Sequence, residues 1–509
     1  MFRRISRKSW LFTFLSGGIA LAFVGMTATA QAQDTDGYAK TNQVNVGVNP
    51  ITCNVANNTI HHTTGFSFDI SWIEQDRGEY LLADRSHGFA TTNNERGMIT
   101  NPNSGDLLVI DTNNPAAGPS VILPPKNDPF AGLRCDANDQ FGGLDAQGAN
   151  AGRNEITGPN GVFTVNTTQA WAGDGPSHFA PDQNNLATDY SRDPCDSSVR
   201  VFDLVAKQQI AHINVHGCFR TDEGAFDPVD QIALFANPSE NAAVAAVAPA
   251  ATAVATSPFL TLISTVGSPV PADQAVDQTN FNSAVSQMRF SILTQINFDG
   301  TNGTVHATGG IEQAVYSRQT GLFYIAIPDN TGTGDGYVAV VDPRTGANFG
   351  QVTSLPLAHG TCPGGPAGAA LGPNHELLLG CGGASAAGGE VVVDITPANI
   401  VHSVEVAPLV LADGSQSCDE VAYDAGSGHF GGACFTSPPG TFRVLINDAK
   451  TAPPAFDLIV PNSGASGAHS IAADNINAQF WVPKFQGDCG VGVPCVAVYS
   501  GNDSDAMGP

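Results

Sequence analysis

The chain has 509 residues, a formal net charge of −26 and only 13% charged residues. So acidic a chain excludes nucleic acid and anionic membrane surfaces as partners. Its length alone fits two or three ordinary domains, whereas 56 glycines and 33 prolines suit many short strands joined by turns.

The first 32 residues read as a leader that the fold does not include. Arg3, Arg4, Arg7 and Lys8 form a basic start, Trp10 to Thr27 is apolar, and Ala30-Gln31-Ala32 offers a small-residue cleavage site. This is the pattern of a secretory signal peptide, and it places the mature protein in the periplasm or outside the cell. Its removal takes away four basic residues and no acidic ones, from −26 to −30. No later segment is apolar for long enough to span a bilayer, so no membrane span is expected in the mature chain.

Hairpin patterns then follow in chain order, each an apolar stretch, a turn of Asp/Gly/Asn/Pro type and a second apolar stretch. They cover Ile70–Ala83, Val162–Gly173, Gly224–Ala236, Ala314–Ala326, Ala369–Gly380, Val421–Cys434 and Ile471–Pro483. Each is followed by a β-branched and aliphatic run: Asp106–Thr112, Ser198–Leu204, Phe259–Thr265, Tyr337–Pro343, Glu390–Thr396, Thr441–Asn447 and Cys495–Gly501. The last four runs start 53, 51 and 54 residues apart. A fourth strand is expected from Ser120, Gln208, Phe290, Phe349, Ile400 and Ala455 onward. Only eight residues follow Gly501, so Asn42–Asn49 is expected to supply the missing strand.

Four antiparallel strands per repeat predict an all-β, seven-bladed β-propeller whose ring is closed by an N-terminal strand. It forms one domain over residues 33–509, with insertions at about 113–157 and 238–257. Loops that long in a compact ring are functional or disordered.

Ten cysteines in an exported chain read as disulfides. In such a blade the residues before the first strand and after the second share one face. That placement pairs Cys418 with Cys434, Cys362 with Cys381, Cys489 with Cys495 and Cys195 with Cys218, leaving Cys53 for Cys135.

The first strand is innermost in a propeller, so the residues entering it line the channel mouth. These are Phe68-Asp69, Asn160-Gly161, Asp222-Glu223, Glu312-Gln313, Ala367-Gly368, Asp419-Glu420 and His469-Ser470, and Thr221-Asp222-Glu223 nearly copies Cys418-Asp419-Glu420. Arg85 and His87 follow the second strand of the first blade, and His178 and His359 sit in loops of the same face. Converging carboxylates repel unless they are protonated or bridged by a cation or an arginine. Two readings stay open. In one, the acids hydrogen-bond neighbouring backbone and are structural. In the other, oxygen ligands hold one divalent cation (Ca, Mg, Mn or Zn).

The unit Ala314–Ile327 followed by Tyr337–Gly346 resembles the YVTN-type β-propeller repeat, and it is similar to the wider gluconolactonase and strictosidine-synthase-like propellers. Lactonases of that group hold one divalent cation in the central channel through Glu, Asn and Asp, and the cation activates water on a lactone. The resemblance implies metal-assisted hydrolysis of a small lactone or ester at the channel mouth. Glu223, Glu312 and Glu420 would be the metal ligands, and His469 a ligand or general base. Arg85 would be an oxyanion or carboxylate partner, and Asp69, Asp222, Asp419, His87, His178 and His359 would contact a small-molecule ligand. A non-catalytic binding or interaction propeller is the alternative. The sequence carries no P-loop, GxSxG or HExxH motif, so no nucleotide, flavin or haem is expected.

Overall fold

The computed structural model describes residues 38–47, 52–55, 58–61, 66, 68–86, 105–125, 128, 130–131, 158–175, 197–217, 220–238, 257–271, 287–301, 304–307, 309–328, 336–344, 349–357, 362, 364–381, 389–395, 405–409, 415–436, 441–449, 455–459, 470–484, 489 and 494–501. All of them belong to the compact unit Asp36–Pro509.

These residues form an all-β propeller built from four-stranded antiparallel sheets. Sheet I comprises Phe68–Glu74, Glu79–Asp84, Asp106–Asp111 and Ser120–Ile122; sheet II comprises Val162–Val165, Gln169–Asp174, Ser198–Asp203 and Gln208–Asn214. Sheet III comprises Gly224–Asp227, Ile232–Asn237, Phe259–Ser264 and Ile292–Asn297; sheet IV comprises Ala314–Ser317, Leu322–Ile327, Tyr337–Val341 and Val352–Pro356. Sheet V comprises Pro366–Leu371, Glu376–Cys381, Gly389–Asp394 and Glu405–Leu409; sheet VI comprises Ser415–Asp424, His429–Thr436, Thr441–Asp448 and Ala455–Ile459. Sheet VII takes Ala472–Asp474, Gln479–Lys484 and Cys495–Ser500, with Ala39–Asn45 pairing antiparallel on Cys495–Ser500.

The middle strands read as nearly unbroken apolar runs because each sheet is covered on both faces. Leu322–Ile327 is buried at every position. The core is accordingly a set of layers between neighbouring sheets. Leu81 and Leu107 of sheet I pack with Ala170 and Phe202 of sheet II. Trp171 of sheet II packs with Phe235 and Ile263 of sheet III, and Leu260 of sheet III with Phe323 and Ile325 of sheet IV. Tyr324 of sheet IV packs with Leu377 of sheet V, Leu378 of sheet V with Phe430 of sheet VI, and Ala433 of sheet VI with Phe480 of sheet VII. Trp481 of sheet VII then packs with Tyr80 and Leu82 of sheet I. Each fully buried Leu or Phe stabilises the fold by roughly 1.5–3 kcal/mol. The first strands touch in the same order, sheet I to II and onward to VII, with Ala472–Asp474 against Phe68–Glu74.

At one end of the strands, aspartates close the turns. Asp227 Oδ1 accepts the amides of Val229 and Asp230 at 2.7 and 3.2 Å, and Asp474 Oδ1 those of Ile476 and Asn477 at 3.1 and 3.0 Å. Asp111 and Asp203 do the same after third strands. These are Asx turns, and they account for many of the scattered acids as hairpin chemistry.

The opposite end carries the disulfides Cys362–Cys381, Cys418–Cys434 and Cys489–Cys495. They fit an oxidising compartment. The expected pairs of Cys195 with Cys218 and of Cys53 with Cys135 lie outside the described side chains. Part of the insertion after sheet I is tied to sheet II by Arg200, which is fully buried and pairs with Asp128 at 2.6 Å and Asp174 at 3.1 Å. No helix among the described residues is long and apolar enough to cross a membrane.

Candidate functional site at the channel mouth

The end of the propeller away from the Asx turns gathers acids from four sheets. Bulges aim two of these acid-bearing segments. The strand register slips between Phe68 and Ser71 and again between Cys418 and Val421, so Asp69 and the Asp419-Glu420 pair sit on out-of-register backbone. An extra residue in one strand bends it and turns side chains out of the ladder.

The third acid-bearing segment, Thr221-Asp222-Glu223, continues the first strand of sheet III. The Asp222 amide donates to the Ala236 carbonyl and the Ala236 amide to the Glu223 carbonyl, both at 2.8 Å.

Glycines in the preceding sheets make room for these segments. A Cβ on Gly161 would run into the carbonyl of Asp222, and one on Gly173 into that of Thr221. In sheet V a Cβ on Gly368 would run into the carbonyl of Asp419, and one on Gly380 would lie 2.7 Å from it. Gly368 and Gly380 are cross-strand partners, and the Gly173 amide donates to the Gly161 carbonyl at 2.9 Å. The same device therefore occurs twice, a glycine pair in sheet II facing the acids of sheet III and a glycine pair in sheet V facing those of sheet VI.

The buried charges are partly compensated. Arg85 Nη2 donates to Asp69 Oδ2 and, at 2.7 Å, to Asn160 Oδ1; its Nε donates to Asn160 Oδ1 at 3.1 Å. Two nitrogens of Arg85 are thus committed within the protein. Arg220 Nε pairs with Asp222 Oδ2 at 2.6 Å. Burial, followed by the nearby charge of Asp69, pushes the Asp222 carboxyl up to about 7 against the pull of Arg220. Asp222 Oδ1 has no donor.

Glu223 and Glu420 come from sheets III and VI and act on each other's carboxyl. Burial pushes Glu223 well above the usual carboxylate range, and the charge of Glu420 and a hydrogen bond to it push further the same way. Glu420 is raised well above that range as well, by burial first. The hydrogen bond from Glu223 opposes this, and the charges of Asp419, Glu312 and Asp69 add to it. Two buried carboxyls that act on each other resist ionising together, so each favours a bound proton. Both residues are almost wholly buried, at 4% and 2% exposure, and Oε2 of each lacks any other donor.

The structure thus brings Asp69, Asp222, Glu223, Glu312, Asp419 and Glu420 into one electrostatic cluster. Within it, Glu223 and Glu420 act on each other. Among the described residues the grouping of three potential ligand atoms within 4.8 Å is Glu390 with Cys418 and Cys434, and the disulfide consumes both sulfurs. Glu223, Glu312 and Glu420 do not form such a trio. His469, His87, His178 and His359 lie outside the described residues. Sequence reasoning placed Asn160, Gly161 and Gly368 at the channel mouth without giving them a role, and it missed Arg220, Gly173 and Gly380. Gly161 and Gly368 were visible as the positions where acid was missing, but not as the space that lets the acids of the next sheet approach.

No family model matches the chain, and no curated protein matches it. Solved structures with a similar course include hydrazine synthase from Kuenenia stuttgartiensis, at 13% identity and a TM-score of 0.41 over 66% of this chain and 76% of that one. The structure of U3-55K is similar at 8% identity and a TM-score of 0.46 over 88% and 98% of the two chains. The Dos1 propeller is similar at 10% identity and a TM-score of 0.44 over 91% and 95%. At these identities no functional argument passes from those proteins to this one, and the reading of the site rests on its own geometry.

Proposed function

We propose that this chain is an exported seven-bladed propeller, closed by Ala39–Asn45, whose channel mouth binds one hard divalent cation between Glu223 and Glu420 for hydrolysis of a small lactone or ester. The blade count and closure are supported by the cyclic order of the inter-sheet layers and by the pairing of Ala39–Asn45 on Cys495–Ser500. Export is supported by the leader pattern and the three disulfides.

The observation that carries the cation site is the glutamate pair itself. Two buried carboxyls from different sheets act on each other and each favours a bound proton, and each has an oxygen that no donor among the described residues satisfies. A cation can replace that proton and relieve the same repulsion. The donor set is all oxygen, which suits Ca²⁺ or Mg²⁺ held by two carboxylates with water completing the shell. It does not suit a cage of three glutamates, since among the described residues Glu223, Glu312 and Glu420 do not bring three ligand atoms within 4.8 Å of one another. A cation there would polarise a lactone carbonyl or lower the pKa of a bound water. The protein's own part is to orient. Arg85 fixes Asp69 and Asn160, and Arg220 fixes Asp222, so the rim of the site is rigid.

A second reading is favoured by the same hydrogen bonds. Two nitrogens of Arg85 are already engaged within the protein, so Arg85 is not free to stabilise a developing oxyanion with them. That arrangement suits a propeller that binds its ligand without turning it over. Metal analysis of the purified protein with and without chelator, calorimetric titration with Ca²⁺, Mg²⁺, Mn²⁺ and Zn²⁺, and a panel of lactones and aryl esters separate the two. Binding and turnover that both vanish in Glu420→Gln support the hydrolase. Binding without turnover supports the non-catalytic propeller. No binding of any of the four ions sinks the cation site.

A further inference from the structure

The two glutamate-bearing segments are held by different chemistry at equivalent positions. In sheet VI, Cys418 lies three residues before Val421, Cys434 lies two after its cross-strand partner Gly432, and the two cysteines are bonded. In sheet III, Thr221 lies three residues before Gly224 and Asn237 two after its cross-strand partner Phe235. There Asn237 Nδ2 donates to Thr221 Oγ1 at 3.1 Å. Asn237 also donates to the Arg220 carbonyl at 3.2 Å, and Thr221 Oγ1 to Ser197 Oγ at 3.3 Å. Thr221, Asn237, Cys418 and Cys434 are all buried. Each pair closes the hairpin at the point where the chain turns out to present Asp-Glu, and each presents it against a glycine pair of the preceding sheet.

We propose that the Cys418–Cys434 disulfide and the Thr221–Asn237 hydrogen bond are equivalent clasps that position Glu420 and Glu223 against each other, and that ligand binding by the glutamate pair depends on both. The inference rests on the reading of that pair as the ligand site. These four are positioning residues, since none of them reaches the ligand. The physical basis is the short lever between clasp and carboxyl. Glu420 is two residues from Cys418 on a bulge that the ladder does not hold, so the covalent clasp is what limits its backbone. Glu223 is two residues from Thr221, and the Asn237 amide does the same work at lower strength.

The test exchanges one clasp for the other. The variants are the double substitutions C418A/C434A and C418T/C434N, together with Thr221→Ala, which leaves every disulfide intact. Circular dichroism first establishes that each variant is folded. Two readouts follow: calcium affinity, and the infrared band of a protonated carboxyl at pH 7 in chelator, assigned by its loss in Glu223→Gln. The expected result is a calcium affinity at least tenfold weaker in C418A/C434A, with the carboxyl band lost. C418T/C434N should return both to within about threefold of the wild type, and Thr221→Ala should weaken binding by roughly five- to tenfold, as the loss of its hydrogen bonds with Asn237 and Ser197 allows. A folded C418A/C434A or Thr221→Ala protein with wild-type affinity and an unchanged band would overturn the inference. A wild type that binds no calcium, with the band still moving in the clasp variants, would overturn the cation site and leave the clasps standing. Should C418A/C434A fail to fold, the Thr221→Ala comparison decides alone.

Discussion

Replacing Asp222 by asparagine isolates the cost of holding an acid inside the channel mouth. Asp222 is 1% exposed, and its carboxyl is raised from 3.8 to about 7, by burial first and then by Asp69. A raised carboxyl supports the fold while protonated. Its contribution is therefore full below about pH 4 and is lost as the pH rises through 7. The interval between 3.8 and about 7 corresponds to about 4 kcal/mol of stability. An asparagine side chain cannot ionise, while its carbonyl can still accept from Arg220 Nε, which lies 2.6 Å from Asp222 Oδ2. The assay is urea unfolding of both proteins at pH 5, 6, 7 and 8 in chelator, read as the difference between them. Asp222→Asn should gain on the wild type by about 2–3 kcal/mol between pH 5 and pH 8, the share of the total that falls in that window. Any constant cost of disturbing Arg220 cancels in the slope. Parallel curves for the two proteins over that range would refute the account of Asp222 as a carboxyl kept neutral by its surroundings.

Further outcomes follow from the same contacts. Arg200→Met should destabilise the fold by about 3–5 kcal/mol in urea titration, because it strands Asp128 and Asp174 without their cation. Gly368→Ala forces a Cβ into the Asp419 carbonyl and should cost about 1–3 kcal/mol; it should also weaken calcium binding, which an ordinary core glycine would not do. Tyr38→Phe removes the 2.7 Å hydrogen bond to Ser427 that ties the N-terminal strand of sheet VII to sheet VI. It should lower stability by about 1 kcal/mol, and hydrogen exchange should show faster opening of Ala39–Asn45.

Most of the architecture could be read from the sequence because its signals are local. The alternation of apolar stretches with turn residues marks hairpins, and Asp227, Asp424 and Asp474 end first strands where an Asx turn needs them. The partners Cys362–Cys381, Cys418–Cys434 and Cys489–Cys495 followed from the repeat because each pair lies on adjoining parts of one hairpin or loop. The site was legible only as a roster. Glu223 and Glu420 were visible as acids entering first strands, but 197 positions separate them along the chain. No local pattern states that they act on each other in one buried site.

The sequence by itself determined a repeated four-strand unit, the disulfides within it and a set of acids at one end of the strands. These depend on period-two patterning and short loops, which act over a few residues. The tertiary structure alone decided that Glu223 and Glu420 act on each other in a buried site, that Arg85 is spent on Asp69 and Asn160, and that Gly161 and Gly368 are the space the acids occupy. The reason is dielectric and steric. Whether a carboxyl keeps its charge depends on the atoms packed around it from every sheet, and those atoms are brought together only when the sheets close on one another.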